Sequence, residues 1–557
     1  MLDNTFDSGE RLSRCIAIVN GIVYTASSNN IAEAIIINKG KITYVGSSSN
    51  AICKAKNCKI IDAEGCLITP GFIDSHCHLA QAGFLEKYGI NLLQVRSINQ
   101  IIDILSERAR KAKPRNWIYG YGLDENLLKE GRPPLRYDLD EATTKHPVFL
   151  EHISGHMAVV NSYALKIAGI TKDTPDPPGG IIERDTRGEP IGILKDSAMS
   201  LVTRFMPEPS IDMWMKCIEV AQYMWISKGI TAIEDVGLSG QGYSILEAYS
   251  RLAHSNRLII RTRFSYPISS SKELNQELIK KLKGINSQFL RASAVKVFYD
   301  GSGLARTALM YDNWCRDYKV DKNSRGLRLI PQDDLINTIR LANKEDLRVS
   351  IHAIGDKAID EVVEAISIAK MSYKGQHSII HCIVPTKESI KTMSKLGIGV
   401  KTQTSFIYSY GHVYAANLCL HRAKRAFPIK TLLRHGIIVG NGSDAPFLNP
   451  PDPGYGLYGA VIRKPRIKTP YDDPFGSEEK ISFIDAIKTY THLASITIGW
   501  NDEIGSIDIG KKADLVIWNI KTLDPTPQDL LNLKPLATFI EGNAIYVDEC
   551  WKEKLNL

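Results

Sequence analysis

Apolar and polar positions alternate differently in three stretches of the chain. In the first seventy or so residues, short runs rich in β-branched side chains, such as CIAIVNGIVYT, EAIIINKGKITYVG and KIIDAEGCLITPG, are punctuated by Asn-Gly, Asn-Lys-Gly-Lys and Glu-Gly. That pattern predicts strands joined by tight turns. The tail, with GSIDIGKKADLVIWNI and LATFIEGNAIYV, has the same character. A β-rich head and tail around a different middle predict one small β-sandwich built from both termini, residues 1–70 and 500–557.

The middle alternates apolar runs with amphipathic segments. The runs are HPVFLEHI, GITAIEDVG, ASAVKVFYDGS, LRVSIHAIGD, HSIIHCIV, LGIGVKTQ and GIIVGNGSDAP; the segments include DDLINTIRLANKED and DKAIDEVVEAISIAK, apolar at helical spacing. Strand–helix alternation predicts parallel strands with helical crossovers. With ITPGFIDSH as the first, the candidate strands number eight. The predicted fold class is therefore α/β, a (β/α)8 TIM barrel over residues 71–499. A doubly wound sheet is disfavoured because no glycine-rich phosphate loop follows an early strand. The stretch 84–222 exceeds one barrel unit and predicts an insertion over the mouth, with a loop at TPDPPGGI.

Composition narrows the function classes. A net charge of +8 over 557 residues, with basic residues scattered rather than gathered, gives no footprint for nucleic acid. The longest apolar runs are too short to cross a bilayer, and the polar start MLDNTFDSGERLSRC lacks the apolar core of a signal peptide. The ten cysteines show no regular spacing and no Cys-x-x-Cys pair. They read as free thiols in a reducing compartment, which predicts a cytoplasmic protein.

The candidate chemistry begins at TPGFIDSHCHLAQAG. In a strand, His76 and His78 share one face while Cys77 faces away, so two imidazoles converge on one point. Neutral imidazoles so placed suit a metal. In a barrel, chemistry sits where the C-terminal strand ends converge. Searching each strand end adds Lys296 in AVKVFYDG, His352 in VSIHAIGD, His381 in SIIH and Asp444 after IIVGNGS. Each has an ordinary alternative: a hydrogen-bonded core histidine, a turn cap for Asp444, a snorkelling Lys296. Their order and placement together favour ligands. A cationic lysine would repel metal ions, whereas a buried lysine of depressed pKa can add carbon dioxide. The carbamate could bridge two ions, one on His76, His78 and Asp444, the other on His352 and His381. Without it, a single ion on His76, His78 and Asp444 is the fallback.

These blocks resemble the amidohydrolase superfamily and, within it, the YtcJ-like amidohydrolase family 3, over nearly the whole chain. The resemblance is carried by PGFIDSHCH, SGHMAVVNSYAL, GGIIERDTRGEPIGIL, KVFYDGSGLARTA, IHAIGDKAID, NGSDAPF and GSIDIGKKADLVI, in the family's order. It implies a metal-dependent barrel beside a small β-sandwich, and hydrolysis of an amide-type, non-peptide C–N bond of a small molecule. Three positions depart from the family: Ile380 stands where an acid precedes the fourth histidine, Asp196 stands for a glutamate, and Gln403 is followed by Thr404 rather than proline. These bear on the substrate more than on the metal, and Asp196 is a spare candidate for the bridging carboxylate.

The implied mechanism uses one or two divalent ions, expected to be zinc, to activate water. Asp444 moves the proton from water to the leaving nitrogen. His156 and Asp300 are the candidates for substrate contact, Asp124 reads as structural, and Asp235 as a support for a ligand histidine. The rival readings are a lactonase or phosphotriesterase on the same site, and a scaffold that lost catalysis; the second is disfavoured because all six ligand positions are filled. The expected partner is the small-molecule substrate, with no nucleic acid and no membrane; a homo-oligomer is compatible with the sequence.

Overall fold

A computed structural model of the chain describes residues 15–555 apart from 28–29, 154, 156, 178–179, 317–318, 321–324 and 448–449. Two compact units result, Met1–Leu79 with Gln222–Leu557, and Ala80–Ala221.

In the larger unit, parallel strands form two sheets. One is ordered Leu290–Arg291, Arg261–Phe264, Ile230–Asp235, Phe72–Cys77, and the other Tyr266–Ile268, Ala294–Phe298, Arg348–Ala353, Ser378–His381, Gly399–Thr402, Val439–Asn441. Backbone hydrogen bonds from Asp444 N to His76 O (2.9 Å) and from His78 N to Ala445 O (2.8 Å) join the segment after the last of these strands to the end of Phe72–Cys77. Helices separate the strands. Gln332–Lys344 buries Leu335, Ile339 and Ala342 on one face, as its apolar spacing requires. Lys387–Leu396 starts on the Thr386 hydroxyl, which accepts from Ser389 N, and stops at left-handed Gly397.

Both termini contribute sheet to this unit. Strands Lys41–Gly46, Ala34–Asn38, Ile16–Val19 and Lys59–Asp62 form one sheet. The other is ordered Asn543–Val547, Pro535–Ile540, Leu515–Trp518, Leu67–Pro70, Ile22–Tyr24, Ile31–Ala32. A single apolar cluster, including Ile18, Ile35, Val23, Ile68, Leu515 and Phe539, draws on both.

The smaller unit holds a mixed sheet ordered Gly180–Arg184, Pro190–Asp196, Met157–Val160, Val148–His152, Ile118–Leu123, Ile90–Asn91. This corrects the strand assignment made from the sequence. HPVFLEHI belongs here, as Val148–His152, and not among the parallel strands of the larger unit. The strand passed over is Arg261–Phe264, whose two arginines break its apolar run. Arg261 is fully buried because Asp514 (2.7 Å) and Glu541 (3.0 Å) neutralise it. Arg263 donates to the carbonyl of Ile498 (2.6 Å), just past the helix His492–Thr497, where a cation offsets the helix dipole.

The cysteine reading is also corrected. Cys15 and Cys58 form one disulfide, and Cys315 and Cys419 another, leaving Cys53, Cys66, Cys77, Cys217, Cys382 and Cys550 free. The pairs lie 43 and 104 residues apart, too far for any local spacing to announce them. Thiol content therefore no longer argues for a reducing compartment. Thiol titration of the chain denatured without reductant should count six, rising to ten after reduction; ten at the outset would mean both bridges are open. Among the described residues no helix is long and apolar enough to cross a membrane.

Candidate metal centre

His76 and His78 lie in and just after the strand Phe72–Cys77, and Asp444 follows the strand Val439–Asn441. All three are buried. The Nε2 of His76 stands 2.9 Å from Asp444 Oδ1, and that of His78 3.6 Å. One ligand atom from each of the three lies within 4.8 Å of the others. Two imidazole nitrogens and a carboxylate oxygen so converging match the donor set of a catalytic zinc site, which keeps a further position open.

The next two histidines arrive from neighbouring parallel strands, with Ala353 opposite His381 in register. The rings of His352 and His381 are 4.6 Å apart, and those of His76 and His381 5.4 Å, centre to centre. His381 thus joins the first three residues to His352. Lys296, fully buried in the strand Ala294–Phe298, is near enough that its charge depresses the His76 and His381 pKa values. Among the described residues its Nζ has no hydrogen-bond partner.

The protonation states suit ligation. Burial holds His76 well below its ordinary pKa and brings His381 down to about 3, so both imidazoles are neutral. Burial would raise Asp444, but His76, His78 and His381 outweigh it and keep the carboxylate ionised. Burial pulls Lys296 down to about 7, so a share of its amine is neutral near neutral pH. Metal ligands must be in these deprotonated states.

The histidines are also oriented. His78 Nδ1 lies 3.0 Å from the carbonyl of Gly237, His352 Nδ1 3.0 Å from Asp300 Oδ1, and His381 Nδ1 2.6 Å from Gln403 Oε1. Donation from Nδ1 to each acceptor fixes the tautomer in which Nε2 carries the lone pair a metal would take. Asp235 reaches His78 through Gly237: it accepts from Gly237 N (2.8 Å) and from the Tyr249 hydroxyl (2.7 Å). Gly237 turns with φ +60°, and a Cβ there would meet Phe264 at 2.9 Å. His381 (φ +69°), Cys382 (+50°) and Asp444 (+60°) are left-handed without being glycine, and such strain, of order 1–3 kcal/mol each, concentrates at functional sites.

Other sequence candidates fall elsewhere. Asp300 is buried, and besides His352 it accepts from the backbone of Leu309, Ile354 and Gly355. It therefore backs a histidine instead of opening toward a substrate. His156 lies outside the described residues. Asp196 ends a strand of the smaller unit. Asp124 belongs to another ligand-like group there, with Glu125 and His152, in which His152 Nε2 lies 2.9 Å from Glu125 Oε2. Gln403 appeared in the sequence only beside a motif departure, and Gly237 offers a backbone carbonyl that no residue type announces.

The amidohydrolase family model matches residues 59–546. The chain belongs to the amidohydrolase family. YtcJ of Bacillus subtilis (strain 168) is 30% identical over 537 residues, 94% of this chain and 98% of its own. The N-substituted formamide deformylase of Arthrobacter pascens is 24% identical over 545 residues, 95% of this chain and 98% of its own. Among solved structures, an uncharacterized metal-dependent hydrolase from Pyrococcus furiosus superposes with a TM-score of 0.72 at 26% identity, covering 92% of this chain and 99% of that one. This amidohydrolase thus has the fold of metal-dependent hydrolases.

Proposed function

We propose that this amidohydrolase hydrolyses an amide-type, non-peptide C–N bond of a small molecule with the help of one or two divalent ions, zinc by the donor set. The observation that carries the reading is the convergence of His76, His78 and Asp444. These three would hold one ion; His352 and His381 would hold a second, with Lys296 between. In this reading the two parallel sheets are arcs of one (β/α)8 barrel, supported by the hydrogen bonds at Asp444 and His78. The terminal sheets, with their common apolar cluster, are its β-sandwich.

A divalent ion lowers the pKa of water from about 15.7 to near 7 and polarises a carbonyl oxygen. Asp444, ionised and in contact with both histidines, takes the water proton and delivers it to the departing nitrogen. Asp300, Gln403 and the Gly237 carbonyl hold three imidazoles in one tautomer throughout. The neutral Lys296 amine would attack carbon dioxide: an N–C bond forms as one C=O π bond opens onto its oxygen, the N–H proton passes to water, and the resulting carbamate is anionic. The Lys296 Nζ is buried without a hydrogen-bond partner among the described residues, which supports that step.

A panel of N-acyl, formamide, cyclic amide and lactone compounds tests the reading. Turnover of an amide or formamide is expected; turnover of lactones alone would replace it with an esterase reading. Replacing Lys296 with methionine should remove one ion per chain and the mass of one carbon dioxide under gentle ionisation. Unchanged metal content in Lys296→Met would exclude the bridge.

A further inference from the structure

Asp74 lies two residues before His76 and is buried, and among the described residues it forms no ion pair. A carboxylate removed from water needs hydrogen-bond donors, and here they come from two directions. Ser443 donates through its backbone N (2.9 Å) and its hydroxyl (2.6 Å), and Trp225 Nε1 donates at 2.9 Å. The Ser443 hydroxyl also accepts from Ala445 N at 3.0 Å. So one carboxylate fixes residues on both sides of Asp444.

The turn it fixes is an unfavourable one. Asp444 has φ +60°, a conformation that L-residues keep only when the surroundings over-determine it. Gly442 allows the approach, since a Cβ there would lie 2.8 Å from His76 N and 3.1 Å from Asp74 Oδ1. Oδ1 accepts from Ser443 N and, at 3.3 Å, from His76 N, and Oδ2 from the Ser443 hydroxyl and Trp225 Nε1, so asparagine at 74 would turn an N–H against one of these two donor pairs.

We propose that Asp74 is a positioning residue for Asp444, acting through Ser443 to aim that carboxylate at His76 and His78. The proposal rests on the metal reading above and goes beyond it. It predicts that Asp74 governs metal affinity although it touches no metal.

The test is titration of the metal-free, full-length protein with cobalt(II), followed by visible absorption. Wild type should bind and His76→Ala should not; that arm tests the metal reading alone. Asp74→Asn and Ser443→Ala should each bind cobalt(II) about 10–100-fold more weakly, the usual range for partners that orient ligands. The double variant should be no weaker than Asp74→Asn, because the two act as one unit. Trp225→Phe removes a donor from Asp74 but leaves the Ser443 bonds, so its affinity should stay near wild type. Wild-type affinity in both Asp74→Asn and Ser443→Ala, full additivity in the double variant, or an equal loss in Trp225→Phe would each overturn the proposal. Ser443→Ala removes only a hydroxyl and serves if Asp74→Asn fails to fold.

Discussion

Replacing His76 with alanine should strip the protein of bound divalent metal and reduce turnover to background. The imidazole is buried with its Nε2 2.9 Å from Asp444, so the truncation opens the centre of the ligand set. The remaining pair, His78 and Asp444, lacks the donors of a stable site. Without an ion, the pKa of water returns from near 7 toward about 15.7, and neutral water is a poor nucleophile. The fold should survive, because among the described residues His76 Nδ1 has no hydrogen-bond partner, and Asp74 still ties the strand to Ser443. Elemental analysis, steady-state kinetics and a melting curve check the three parts; metal content near wild type would place the ion elsewhere.

Replacing Asp444 with asparagine should act on chemistry more than on substrate binding. The amide matches the carboxylate in shape and keeps an oxygen facing His76 and His78, but it cannot accept the water proton. Loss of a general acid–base group costs typically about 10²–10⁴-fold. The expected result is a fall in kcat of that size with KM little changed. Some loss of metal affinity should accompany it, since a neutral oxygen replaces an anionic ligand. Activity within a few-fold of wild type, measured with metal saturated, would assign the proton transfer to another group.

The sequence exposed what depends on side-chain identity and strand alternation. His76 and His78 stood out because alternation in a strand puts both on one face. His352 and His381 stood out because a histidine inside an apolar run demands a partner. Asp300 was visible, but its use was not: nothing in KVFYDGS says that three backbone N–H groups and one imidazole surround it. The Gly237 carbonyl could not be seen, since every residue has one. Arg261–Phe264 was hidden because its burial depends on Asp514 and Glu541, about 250 residues or more away in sequence. Val148–His152 carries the same short apolar run as the strands of the larger unit, and only pairing distinguishes them. The disulfides were hidden for the same reason as Arg261, because contacts across long separations leave no local signature.

The most direct test is chelation and reconstitution. The purified protein, treated with a strong chelator and dialysed, should lose all hydrolysis of whichever amide or formamide the panel identifies. Stepwise addition of zinc should restore turnover in proportion to bound metal, levelling at one or two ions per chain. Full turnover by protein shown to be metal-free would contradict the role given to His76, His78 and Asp444.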